Sequence, residues 1–216
     1  MLKYILFDLD NTLYPKSSGL DKEVNRRMTE FTAAYLQIPA EEAQKLRETE
    51  AIPFGTTLKW LVGSHRLDAA GVERFLKEVH PEDLNPFFPQ NPQLRRMLEE
   101  LSFPMAILTN SHQEHTGRVL RQLGIIDLFP LIFDIRYNNF LGKPNPETYK
   151  KVLSQLNMKA HEVLFIDDMP RYLYPFRDLG GQVLLIDEYG LNGESGLRSL
   201  RTITELKNYL DKLQEG

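Results

Sequence analysis

Apolar residues in this chain come in short unbroken runs separated by longer stretches of helical periodicity. Tyr4 to Phe7, Met105 to Leu108, Val163 to Ile166 and Val183 to Ile186 form four such runs, with Leu131 to Phe133 a weaker fifth. Runs of this kind predict strands buried on both faces, as in a parallel sheet covered by helices. Helical patterns fill the intervals at Pro92 to Leu101, Gln113 to Leu123, Pro146 to Leu156 and Thr204 to Leu213. The alternation predicts right-handed crossovers and an α/β fold built on a doubly wound parallel sheet. In such a sheet the carboxyl ends of the strands open on one crevice, where ligands bind.

Polar chemistry follows every clear strand: Asp8 and Asp10, then Thr109-Asn110, then Asp167-Asp168, then Asp187. The alternation breaks between Tyr14 and Pro86, where Val24, Met28, Phe31 and Tyr35, and later Val72, Phe75, Leu76 and Val79, fall at helical spacing. This predicts a helical insertion over residues 15–86 in a core made of 1–14 and 87–216. The prolines of Asn85-Pro86-Phe87-Phe88-Pro89 suit a hinge at its end. Trp60 and the other aromatic residues of the insertion are expected in its core. Tyr189 to Gly196 reads as a surface loop.

Composition narrows the chemistry. Hydrophobic residues at 42% and charged residues at 26% are ordinary for a globular protein with a real core. A formal charge of -4 offers no basic face for a nucleic-acid polymer, although a small anionic substrate remains compatible with a locally positive site. Cysteine is absent, which excludes disulfides, thiolate metal sites and cysteine nucleophiles. No stretch approaches the roughly 20 apolar residues that span a bilayer. The apolar run before Asp8 is too short for a signal peptide, so a cytoplasmic location without membrane attachment is the expectation.

Asp8 and Asp10 stand two residues apart where a hydrophobic strand ends. Crowded carboxylates repel one another unless a cation or a shared proton compensates, and hard oxygen ligands suit Mg2+. Asp167 and Asp168, at another strand end, can complete such a site. Thr109, Asn110 and the backbone N–H groups of the helix start beyond them offer contacts to phosphate oxygens, the alternative being a cap that merely starts the helix. Lys143, in Gly142-Lys143-Pro144-Asn145-Pro146, is presented from a stiff turn just before a helix. His112 and His115 lie on the helix after Thr109-Asn110 and could reach the site, although a solvated helix face is the reading favoured for them.

Taken together, Asp8-Leu9-Asp10-Asn11-Thr12-Leu13, Thr109-Asn110, Gly142-Lys143-Pro144 and Asp167-Asp168 resemble, in order and spacing, the four motifs of the haloacid dehalogenase-like superfamily. The resemblance spans nearly the whole chain and implies a Rossmann-like core with an inserted helical cap. It further implies a phosphatase acting on a small phosphorylated substrate, with Asp8 as nucleophile and Asp10 as acid and then base. Mg2+ would be held by Asp8, Asp168 and the Asp10 backbone carbonyl, with Asp167 bound directly or through water, and Thr109 and Lys143 on the phosphoryl oxygens. Dehalogenases of the superfamily typically lack the second aspartate, so Asp10 favours phosphate chemistry.

Phe54-Gly55-Thr56-Thr57-Leu58, His80 and the stretch from Leu94-Arg95 to Arg118-Val119-Leu120 are similar to the pyrimidine 5′-nucleotidase-type members. That similarity implies a nucleoside 5′-monophosphate substrate, with Phe54 stacking on a base and Gly55 and Thr56 supplying polar contacts. Packing in the insertion and helix capping are the alternatives for Phe54 and Thr56. One departure stands out. Where those members usually have Asp-Asp-Ser-x-x-Asn, this chain has Asp167-Asp168-Met169-Pro170-Arg171-Tyr172, which changes the support around the carboxylates. A sugar phosphomutase and a catalytically weak metal-binding protein are the rival readings.

Overall fold

The computed structural model describes residues 1–215, which divide into two compact units: Met1–Ser18 with the chain from Asn85 onward, and Gly19–Leu84. The first unit holds a six-stranded, all-parallel sheet of order β3-β2-β1-β4-β5-β6. Its strands are β1 (Tyr4–Phe7), β2 (Met105–Leu108), β3 (Leu131–Phe133), β4 (Val163–Asp167), β5 (Gln182–Ile186) and β6 (Ser199–Leu200). The two-residue β6 has no counterpart among the apolar runs. Strand order reverses at β1: the chain builds outward to β3, then crosses back to place β4 on the other side. Such a switch point is where a doubly wound sheet opens its crevice.

Every residue of β1, β2 and β4 is buried, in keeping with apolar runs covered on both faces. Tyr4, Leu6, Ala106, Leu108 and Phe165 face one cluster, completed by Tyr149 and Val152 of α7 (Pro146–Leu156) and Leu173 and Phe176 of α8 (Pro170–Asp178). At its centre the rings of Tyr149, Phe165 and Phe176 lie 5.5–5.9 Å apart in tilted and edge-on pairs. This geometry suits the ring quadrupoles. Phe7, of opposite parity, meets Phe129 edge-on at 5.7 Å.

The remaining helices of this unit are α5 (Pro92–Glu99), α6 (Gln113–Leu123) and α9 (Leu206–Glu215). Helix α5 stops two residues before the expected Leu101, and α9 begins two residues after Thr204, because a short 3-10 turn at Ile203–Glu205 precedes it.

The second unit contains α1 (Leu20–Leu36), α2 (Ala40–Glu50), α3 (Thr57–His65) and α4 (Ala69–Val79) and, among the described residues, no strand. Its core sets Phe31 of α1 edge-on to Phe75 of α4 at 5.1 Å, with Trp60 fully buried. Arg47 of α2 stitches the bundle, donating to Thr29 Oγ1 at 2.6 Å, Asn25 Oδ1 at 3.1 Å and Thr57 Oγ1 at 3.3 Å. The division falls at Ser18/Gly19, a few residues later than position 15. Lys16–Ser18 form a short turn whose Ser17 N donates to Glu188 Oε2, tying it to the α/β unit.

Candidate active site

Strands β2, β1 and β4 are neighbours, and their register pairs Phe7 with both Ile107 and Ile166. One step further along the chain brings Asp8 level with Leu108 and Asp167. The Asp8 N–H donates to Ile166 O at 2.8 Å, and the chain then leaves the sheet. Thr12 and Leu13 both bond back to Leu9 O, with Asn11 in the left-handed region at φ 59, which asparagine tolerates. This turn brings Thr12 Oγ1 to 3.2 Å from Asp8 Oδ2 and Asn11 Nδ2 to 3.4 Å from Asp168 Oδ2, both as donors.

Lys143 reaches this point from the loop before α7. Its Nζ is 2.6 Å from Asp8 Oδ1 and 2.5 Å from Asp167 Oδ2, and the side chain is 1% exposed. The rings of Tyr172 and Phe165 lie 5.0 and 5.3 Å from the same nitrogen, close enough for cation–π attraction. Asn110, expected among the groups that hold phosphate, clasps this loop with its side chain. Its Oδ1 accepts from Lys143 N at 2.7 Å and its Nδ2 donates to Lys143 O at 3.0 Å. The reason is local: two buried main-chain groups of Lys143 need partners, and one amide satisfies both. Gly142 makes the approach possible, because at φ +61 a Cβ there would stand 2.5 Å from Asn110 Oδ1.

Asp10 occupies a different setting. Its Oδ1 accepts from Tyr14 OH at 2.6 Å and from His115 Nε2 at 2.9 Å, and its Oδ2 accepts from Ser111 Oγ at 2.6 Å. His115 and His112 are 1% and 3% exposed, which corrects the reading of this helix face as solvated. His115 lies on the inner stripe of α6 with Thr116, Val119, Leu120 and Leu123, and His112 is the residue just before its first turn. Thr109 is buried beside them, its hydroxyl accepting from Ser111 N at 3.0 Å.

The two settings have opposite electrostatics. Burial pushes the Asp8 and Asp167 carboxyls up, against the pull of Lys143. Burial and then the Asp8 charge push Asp168 up to about 7. Burial also opposes the charge on Lys143, but Asp167 and Asp8 outweigh it and hold the ammonium protonated. At Asp10 burial is outweighed by His115, Ser111 and Tyr14, which keep the carboxyl well below its usual range. Carboxylate oxygens of Asp8, Asp167 and Asp168 lie within 4.8 Å of one another, with one lysine among them. Three hard oxygen donors short of positive charge fit a divalent cation.

A family model for haloacid dehalogenase-like hydrolases matches residues 2–171, most of the chain. The chain belongs to this family. Among curated relatives, the Saccharomyces cerevisiae protein named phosphate metabolism protein 8 is 27% identical over 209 residues, covering 89% of this chain and 64% of that protein's length. A phosphorylated carbohydrates phosphatase of Thermotoga maritima is 27% identical over 175 residues, covering 77% of this chain and 76% of its own. Of the solved structures, a HAD phosphatase from Thermococcus onnurineus superposes with a TM-score of 0.64 at 19% identity, covering 97% of this chain and 98% of that one, a likeness of fold.

Within this haloacid dehalogenase-like hydrolase, the insertion residues singled out from the sequence have structural work of their own. Thr56 caps the N-terminus of α3, its hydroxyl accepting from Lys59 N at 3.1 Å. Gly55 carries φ +82 at the end of a short turn, and the half-buried Phe54 ring lies close against Gly63 of α3. His80 is buried, with Nδ1 3.1 Å from Leu76 O. Asp187 folds the following loop by accepting from the N–H groups of Leu191 and Asn192. The sequence assigns no site role to Thr12 and Asn11 beside the carboxylates or to Tyr14 and Ser111 around Asp10, while His115 is among the residues it allows to reach the site.

Proposed function

We propose that this hydrolase is a Mg2+-dependent phosphatase that transfers the phosphoryl group of a small phosphate monoester to Asp8 and then to water. The observation that carries the reading is the meeting of Asp8, Asp167 and Asp168 oxygens around Lys143 at adjoining strand ends. Asp8, Asp167, Asp168 and the Asp10 backbone carbonyl would hold the cation. When bound, it supplies positive charge that lets an anionic ester approach an anionic nucleophile. A carboxylate oxygen of Asp8 bonds to phosphorus, the ester P–O bond breaks, and the departing oxygen takes a proton from Asp10. Asp10 then removes a proton from water, which attacks phosphorus and frees Asp8. Lys143 and Thr109 hold the phosphoryl oxygens as charge builds, and Asn110 keeps Lys143 in place. The donors around Asp10 favour its ionised form, and the negative charge of an arriving ester works the other way by raising its proton affinity.

The substrate we favour is a nucleoside 5′-monophosphate, read by Phe54, Gly55 and Thr56, in a protein of the cytoplasm. The curated relatives named as phosphatases support the phosphoester chemistry. The test is phosphate release from 4-nitrophenyl phosphate with and without Mg2+, in wild type and Asp8→Asn. Metal-dependent release abolished by Asp8→Asn is the expected result, followed by a preference for nucleotides in a panel of esters. No release from any ester by metal-loaded protein would leave a binding role. An isomerised sugar phosphate in place of free phosphate would make the enzyme a mutase.

A further inference from the structure

Asp10 is the group around which the catalytic reading turns, and its surroundings are unusually complete. An ionised carboxylate offers about four lone-pair directions, two on each oxygen. Both directions on Oδ1 are taken, by Tyr14 OH at 2.6 Å and His115 Nε2 at 2.9 Å. On Oδ2 one is taken, by Ser111 Oγ at 2.6 Å. A single direction on Oδ2 remains for a proton that comes and goes.

His115 differs from the two hydroxyl donors. A hydroxyl rotates to follow its acceptor, whereas a ring N–H points where the ring points. The ring is fixed on several sides: it is 1% exposed, sits on the first turn of α6 and lies near-parallel to His112 at 6.2 Å. The helix itself is pinned at its start, where Asp134 accepts from Gln113 N at 3.0 Å and from Tyr137 N at 2.7 Å. A rigid donor reaching Asp10 from a sequence separation of 105 residues sets the rotation of that carboxyl.

We infer that His115 is a positioning residue for Asp10: its Nε2–H fixes the carboxyl so that the open lone pair of Oδ2 carries the proton exchanged with the leaving oxygen and with water. The inference rests on the phosphatase reading above. Proton balance follows from the geometry. The proton on Oδ2 passes to the alkoxide as the P–O bond breaks, and the same site accepts a proton from the attacking water, restoring the starting state. His115 gives up no proton in the cycle.

A residue that orients a general acid is needed most when the leaving group cannot depart unprotonated. An alkoxide is too basic to leave alone, while 4-nitrophenolate is a stable anion near neutral pH. The experiment compares glycerol 2-phosphate with 4-nitrophenyl phosphate, both with Mg2+, in wild type, His115→Leu and His115→Gln. In His115→Leu, kcat/KM for the alkyl ester is expected to fall by roughly 10²-fold, within the range of a general-acid contribution, while the aryl ester loses about tenfold less. KM should change little beside kcat. His115→Gln, whose amide carries an N–H of similar reach, should recover most of the loss.

Equal losses on the two esters, or no recovery by Gln, would overturn the role of His115. Where His115→Leu fails to fold, His115→Asn replaces it, because its amide is too short to reach Asp10. Metal-loaded wild-type protein that releases phosphate from neither of these two esters and from no nucleotide or other ester of the panel would overturn the phosphatase reading and this inference with it. Wild-type turnover of both, with indiscriminate losses in the variants, sinks only the latter.

Discussion

Asp8 and Asp10 are the same residue type, two positions apart at the end of one strand, and the fold treats them in opposite ways. Asp8 is packed with Asp167 and Asp168 around a single lysine, so burial and shared negative charge raise their proton affinity. Asp10 is surrounded by donors from Tyr14, Ser111 and His115, and its proton affinity falls. The lesson is that a carboxyl's task is set by what faces it. One group is short of positive charge, as a cation site would be, and the other is held in a fixed direction by three donors, as the proposed proton exchange requires.

The sharpest way to break this contrast is Asp10→Asn. Turnover should fall by about 10²–10⁴-fold, the usual weight of a positioned acid–base group, without a comparable loss of Mg2+ affinity by calorimetry. Loss of metal binding on the same scale would place Asp10's side chain with the Asp8 group. Next in size is Lys143→Met, which leaves two buried carboxylates without their ammonium. Removing one partner of such a pair costs about 3–5 kcal/mol, visible in urea unfolding of the metal-free protein. Added Mg2+ should restore part of that stability, because it supplies the missing positive charge.

A gentler probe is pH. The folded-state value for Asp168 of about 7 lies above the ordinary carboxyl range near 4. Between these values the folded metal-free protein holds a proton that the unfolded chain has lost. Stability from this group is therefore greatest at low pH, falls as pH rises from about 4 towards 7, and levels off above that. Metal binding must displace the proton, so thermal stabilisation by Mg2+ should grow from pH 5 to pH 8. A constant stabilisation across that window would count against Asp168 as a ligand. The smallest effect is expected from Phe54→Ala, which should weaken discrimination among nucleotides more than hydrolysis of 4-nitrophenyl phosphate. Equal losses would mean that the ring serves packing alone, as its contact with Gly63 permits.

The parts of the fold legible in the sequence are those where one local signal dominates. The continuous apolar runs of β1 and β2 admit little besides a doubly covered strand, and the helical insertion lacks any such run. Strand β6 escaped because two residues, Ser199 and Leu200, carry no period. The carboxylates and Lys143 were legible because each follows a strand or a stiff turn. The pairing of Asn110 with Lys143 was not legible, since it depends on a loop path set by a glycine at positive φ. His115 carries a mixed signal: its polar type suits a solvated face, whereas 112, 115, 116, 119, 120 and 123 form one stripe on which Val119, Leu120 and Leu123 are plainly apolar. Of the two, the period is the signal that the fold follows.

The sheet has one more consequence, for the company the protein keeps with itself. Its outermost strands are its shortest, three residues in β3 and two in β6, while β4 and β5 further in run to five. A stray strand from another chain finds only a few unsatisfied main-chain groups to copy along either border. Tapered borders of this kind discourage the edge-to-edge stacking by which sheet proteins clump.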